Sequence, residues 1–364
     1  MMFPLISLFF FAYFSIIAVY IVFLPKILQN LGYVSLEIGI VFAIAPLARF
    51  IVPFLFKKFF ELNLRVFYFA LFLALSSAIL FYFTIENFYF FIFPNILFGI
   101  SIGLILPFIE VYALEYLGKN RFGKSRLFGS LGFMLTSIFL ANFLNSSSTA
   151  LNFFLFFIVL MSIFSTLITL KDSHFKQNKT SNAKINFKQN WGFWLNLFLM
   201  QVSFGAYYNF FTIYQTNMGV SLSLTGWMWS FGVVCEIVLF YFQGLFLTRF
   251  KLLNLVQISS FLTSIRWLLL FAFPGIVPII FFAQAFHAFS FALHHSAAFT
   301  HLKNINENSS LAAQFYYGLS FGLGAFLGAL LAGLFYGENL YLWASLVALI
   351  AGIFTKFTSL KQNF

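Results

Sequence analysis

Apolar stretches of about twenty residues recur along almost the whole chain, separated only by short polar breaks. Twenty mainly apolar residues are what a helix needs to cross the hydrocarbon core of a bilayer. Twelve such segments are expected, at roughly 4–24, 36–56, 64–84, 88–116, 126–144, 149–170, 191–216, 223–247, 252–273, 276–300, 310–336 and 339–358. Only 8% of the residues are charged, against about 25% in a soluble domain. No remaining stretch is long and polar enough to fold as one. The expected class is an all-α membrane protein. The N-terminal run MMFPLISLFFFAYFSIIAVYIVFLP has no basic leader and exceeds an ordinary signal core of about 7–15 residues, so it reads as a retained first helix.

One break differs from the rest. Residues 171–189 (KDSHFKQNKTSNAKINFKQ) are polar and Lys-rich, and they divide the expected helices six and six. The expected organisation is therefore a bundle at 1–170, a cytoplasmic linker at 171–189 and a second bundle at 190–364, two parallel repeats about the membrane normal. With both termini cytoplasmic, 17 of the 20 basic residues fall on the inner face, all but Lys26, Arg49 and Arg266. Positive charge concentrates on the inner side of membrane proteins, so the net charge of +11 marks topology, and no nucleic-acid partner is expected.

The informative charges are those inside the apolar runs, because an ionised group in hydrocarbon costs several kcal/mol unless it is paired or wet. At about 1.5 Å per residue, counting back to the nearest inner-face basic residue puts Glu236, Arg266 and His287 in one layer, about 20–24 Å up. An Arg266–Glu236 pair with His287 beside it would satisfy all three. The same count puts Arg49 and Glu110 both about 12–14 Å deep, with Arg126 able to reach Glu110 across the loop between the fourth and fifth helices. Both deep cations are arginine although Lys outnumbers Arg in the chain; arginine holds its charge and offers a rigid fork of donors.

Other features carry less chemistry. The single cysteine, Cys235, reads as a packing residue. His294 and His295 find no acid or thiol at their depth to complete a metal site. There is no P-loop, HExxH or CxxC, so no cofactor, metal or enzymatic activity is expected. Gly318, Gly322, Ala325, Ala329 and Gly333 form a small-residue face suited to close helix packing.

Several blocks resemble the lactose-permease-like proton symporters of the major facilitator superfamily, and within them the 3-phenylpropionate permease branch. They are FLPKILQNLGYVSLEIG and PLARF, LPFIE at 106–110 and FGKSRLFGSLGF at 122–133. The second half adds QVSFGAYYNFFTIYQ at 201–215, WSFGVVCEIVLF at 229–240, SIRW at 264–267 and QAFHAFSFALHH at 284–295. The resemblance implies a monomeric multi-pass carrier in the bacterial inner membrane. It would move a small organic solute together with a proton by alternating access, the solute being an aromatic or other monocarboxylate. It implies substrate binding by Glu110, Arg126 and Arg49, and proton coupling by Glu236, Arg266 and His287. Two departures stand out: Ser290 replaces the proton-carrying acid of lactose permease, and Phe133 replaces the tryptophan that stacks on its sugar. The alternatives are a sugar or nucleoside permease, or an uncoupled facilitator or drug exporter of the same fold.

Overall fold

The computed structural model describes residues 2–59, 63–143, 146–171, 185, 187–306 and 309–361. Most of the expected linker, 172–184 and 186, lies outside the described residues, as do the side chains of Lys57, Lys58 and Lys119. Helices dominate the remainder, with no strand among the described residues. In chain order they are α1 (Met2–Asn30), α2 (Ser35–Val52, continuing as helix to Phe59), α3 (Leu64–Thr84), α4 (Phe88–Gly118), α5 (Arg121–Phe143) and α6 (Ser147–Lys171). Then follow α7 (Trp191–Asn217), α8 (Leu222–Arg249), α9 (Leu252–Ala272), α10 (Val277–Ile305), α11 (Ala312–Leu334) and α12 (Leu340–Thr358).

Eleven of these are long and apolar enough to cross a membrane, one fewer than the sequence led us to expect. The exception is α7. It is a 27-residue helix in the expected place, but Asn196, Gln201, Asn209 and Gln215 interrupt its apolar run, and all four are buried. Helices α4 and α5 form one helical stretch broken at Gly118, where φ is +70°. An L side chain is strained at that angle and glycine is not, so the chain reverses there without a long loop.

Two compact units emerge, one of Met1–Asn178 with Ser221–Ser230 and the other of Lys179–Val220 with Phe231–Phe364. In the first, glycines let helices meet at backbone distance. A Cβ on Gly99 would lie 2.7 Å from the Ala45 Cα, and one on Gly132 would lie 2.3 Å from the Phe11 carbonyl oxygen. The first contact seats α4 on α2, the second α5 on α1. Between them, Phe81 and Phe154 stack 5.0 Å apart in the core of this unit.

The second unit is built around α7. A Cβ on Gly205 would fall 2.2 Å from the Gly328 backbone, and one on Gly324 would fall 2.8 Å from the Phe198 carbonyl oxygen. Gly324 and Gly328 of α11 thus meet α7 at backbone distance, beside the small-residue face read from the sequence, of which Gly318, Gly322, Ala329 and Gly333 are buried. Asn196 ties the unit together: its Nδ2 donates to Ser260 Oγ and the Ala351 carbonyl, and its Oδ1 meets His294 Nε2 at 2.8 Å. One buried amide therefore joins α7, α9, α10 and α12, and His294 is spent on that joint.

Candidate functional site

Arg266, on α9, is completely buried. Its guanidinium meets neutral groups only: Nη2 donates to Gln284 Oε1 at 2.7 Å, and Nη1 lies 3.1 Å from Ser290 Oγ and 3.0 Å from His287 Nδ1. Tyr207 and Trp267 cover its faces, their ring centres 4.3 and 4.5 Å from the guanidinium carbon. Tyr207 also donates its hydroxyl hydrogen to Gln284 Oε1 at 2.9 Å. The balancing charge is one step removed. His287 Nε2 sits 3.4 Å from Glu236 Oε2, the two side chains only 8% and 12% exposed.

The sequence suggested a direct Arg266–Glu236 pair; the structure inserts the imidazole between them. Its tautomer follows from its neighbours. Arginine only donates, so His287 Nδ1 accepts, Nε2 carries the hydrogen, and that hydrogen points at Glu236. Gly232 packs directly against this group: a Cβ there would lie 3.3 Å from Gln284 Oε1 and 3.5 Å from His287 Cβ. Helix α8 consequently runs close to α10 one turn before Glu236. A π turn at Ala288–Leu293 follows His287 directly, and π turns in membrane and soluble helices alike are frequent at functional sites.

The first unit holds a second charged group. Arg126 Nε donates to Glu110 Oε1 at 3.0 Å, with side-chain exposures of 34% and 31%. Phe14 and Phe10 of α1 lie under the guanidinium, 4.2 and 5.3 Å from its carbon. The close α5–α1 approach at Gly132, and at Gly129 against the Phe14 ring, brings these rings to Arg126. Arg49 is placed differently from its expected depth. It packs at Gly103 on α4, seven residues before Glu110, which is about 10 Å along a helix axis. Equal counts to the nearest lysine on each helix concealed this offset. Tyr13 lies within electrostatic reach of Arg49, Glu110 and Arg126.

Gln284, Tyr207 and Trp267, and Phe14 in the first unit, were not singled out by sequence. Gln284 had a signal: with His287 and Ser290 it repeats every three residues along one side of α10. Phe14 had none, being one of 61 phenylalanines.

The many-helix fold that carries these two charged groups is shared with known structures. The fold superimposes on a mutant of the nucleoside transporter NupG with a TM-score of 0.79 and 13% identity, over 98% of this chain and 100% of that one. It also superimposes on a D-xylose-proton symporter with a TM-score of 0.69 and 12% identity, over 97% and 96%. The chain belongs to the MFS_1 like family of the major facilitator superfamily, which it matches over residues 4–347. Among curated relatives it is 29% identical over 130 residues to a probable 3-phenylpropionic acid transporter of Escherichia coli (strain K12), 36% of this chain. It is 25% identical over 230 residues to an uncharacterized transporter, YwbF, of Bacillus subtilis (strain 168), 60% of this chain. The matches span 34% and 57% of those relatives' lengths.

Proposed function

We propose that this transporter is a proton-coupled symporter of a small organic solute, best matched by an aromatic monocarboxylate of the phenylpropionate kind. It would work by alternating access, with twelve spanning helices in two six-helix halves (1–170 and 190–364, joined by the 171–189 linker) and both termini cytoplasmic in a bacterial inner membrane. The observation that carries this reading is Glu236 held by His287 beside a fully buried Arg266. A carboxylate that gains a proton changes the net charge of a dry cluster, which is what coupling to a conformational change requires. In this reading Glu236 carries the proton, with His287 and Arg266 as the partners it leaves when the group rearranges. Arg126, with Glu110 as resting partner and Phe14 offering a ring face, receives the substrate carboxylate; Arg49 adds positive charge deeper in the same unit.

The test is uptake of radiolabelled 3-phenylpropionate into proteoliposomes under an imposed pH gradient, acid outside. Wild-type protein accumulates the probe, and accumulation falls as the external pH rises. Glu236→Gln is expected to lose accumulation while retaining exchange of the probe across the membrane. Accumulation by that variant with unchanged pH dependence overturns the assignment.

A second reading rests on Ser290, which accepts a hydrogen bond from Arg266 and stands where lactose permease, by the resemblance, has an acid. With that acid absent, an uncoupled facilitator would use the cluster for shape alone. Probe exchange indifferent to any pH gradient in the wild-type protein favours it.

A further inference from the structure

Along α10, residues 287, 291, 295 and 299 form a ladder of nearly parallel rings. His287 stacks on Phe291 with centroids 5.6 Å apart and planes 12° apart; Phe291 stacks on His295 at 6.1 Å and 10°; His295 stacks on Phe299 at 5.9 Å and 11°. Lys303 closes the ladder with its ammonium 4.6 Å from the Phe299 ring centre. In an α-helix residues four apart drift by about 40°, and the π turn at Ala288–Leu293 takes up part of that drift. From α11, Tyr316, Tyr317 and Phe321 add ring centroids 5.5, 6.4 and 6.3 Å from His295. His295 therefore stands inside an aromatic cage.

The two histidines of the ladder differ in what holds Nδ1. For His287 it is Arg266 Nη1 at 3.0 Å, a group that can only donate. A proton on that nitrogen would face a donor and a second positive charge, so His287 stays neutral while Arg266 is in place. For His295 it is the Tyr316 hydroxyl at 2.8 Å, which donates to a bare nitrogen and accepts from a protonated one. Ring faces of the cage can also lie against a cation.

We infer that His295 is a second proton-binding position of this carrier, separated from the Glu236–His287 pair by Phe291. The step is a simple transfer: His295 takes a proton to become an imidazolium, Tyr316 turns from donor to acceptor, and release reverses both. The ionisable groups around it are few. On α10 they are His287 and His294, the latter within electrostatic reach, and Lys303. Elsewhere, Tyr316 and Tyr317 face it from α11, and Tyr208 of α7 acts on Tyr316. His295 lies eight residues from His287 and eight from Lys303, so about 12 Å from each along the axis, a staging post between the buried pair and the Lys303 end of the helix. Its place in a transport cycle, though not its protonation, rests on the symporter reading above.

The experiment is a pH titration from 8 to 5 of full-length protein in lipid nanodiscs, labelled with nitrogen-15 in its histidine rings and followed by NMR. Signals are assigned by His287→Gln and His295→Gln; His295→Phe, which refills the cage with a ring, serves if the glutamine variant does not fold. The signal lost in the His295 variant is expected to move from the neutral to the imidazolium pattern, and the signal lost in His287→Gln to keep the pattern of a neutral Nε2–H ring. Tyr316→Phe keeps the cage but removes the hydroxyl, and should shift the His295 midpoint by about half a unit or more. Titration of His287, a His295 that does not titrate, or a midpoint untouched by Tyr316→Phe overturns the proposal. If His295 titrates as stated while Glu236→Gln still accumulates 3-phenylpropionate with normal pH dependence, the proton site stands and the coupling role of Glu236 falls.

Discussion

Arg126 and Glu110 meet in direct contact with about a third of each side chain exposed, whereas Arg266, His287 and Glu236 are almost wholly withdrawn from solvent and communicate through an imidazole. The first pair can part at little cost, since water replaces each partner, and an exposed ion pair contributes about 0–1 kcal/mol. The second group cannot part without stranding a charge. A site that must bind and release a ligand suits the former arrangement. A site that must register one proton suits the latter, because only where solvent is excluded does one unit of charge outweigh thermal energy many times over.

The contrast breaks most visibly at the arginines. Arg266→Ala removes the guanidinium that Gln284 Oε1, Ser290 Oγ and His287 Nδ1 meet, and with it the positive charge that balances Glu236; removing one member of a buried charged group costs about 3–5 kcal/mol. Arg126→Ala should cost about 1 kcal/mol or less. Thermal melting of the two variants in detergent measures the difference, and equal losses would erase the distinction drawn here.

Packing supplies the next test. Gly132→Ala drives a methyl group against the Phe11 carbonyl, which cannot yield, and is expected to cost about 1–3 kcal/mol as overpacking while pulling Arg126 off Phe14. Gly232→Ala meets the movable end of Gln284 and the His287 Cβ at 3.3–3.5 Å, so its stability loss should be smaller and its effect should appear in the pH profile of uptake. Melting curves together with uptake of 3-phenylpropionate separate the two.

Two smaller effects sharpen the picture. Phe14→Leu removes the ring face under Arg126 and is expected to weaken probe binding by about 0.5–1 kcal/mol, a factor of roughly 2–5 in half-saturation. Raising ionic strength from about 0.05 to 0.5 M shortens the screening length several-fold. It should narrow the stability gap between wild-type and Arg126→Ala protein and leave the gap to Arg266→Ala nearly unchanged.

Much of this protein was readable before folding. Apolar run length announced the membrane helices, and the scarcity of charge made each buried one conspicuous: Glu236, Arg266 and His287 were found by being out of place, and so were Glu110 and Arg126. The apolar signal is weakest at α7, where buried amides lower it, although a 27-residue helix stands where the sequence leads one to expect it. Counting residues to the nearest lysine grouped Glu236, Arg266 and His287, which the structure brings together, yet put Arg49 level with Glu110, whereas it packs at Gly103. What no one-dimensional reading contained was which group touches which. His287 lies between Arg266 and Glu236, and His295 sits in a cage of rings, because two π turns and a handful of glycines set the rotation and spacing of neighbouring helices. Run length and charge are properties of segments and survive in sequence; a hydrogen bond depends on helix rotation to within a fraction of a turn, and only packing decides that.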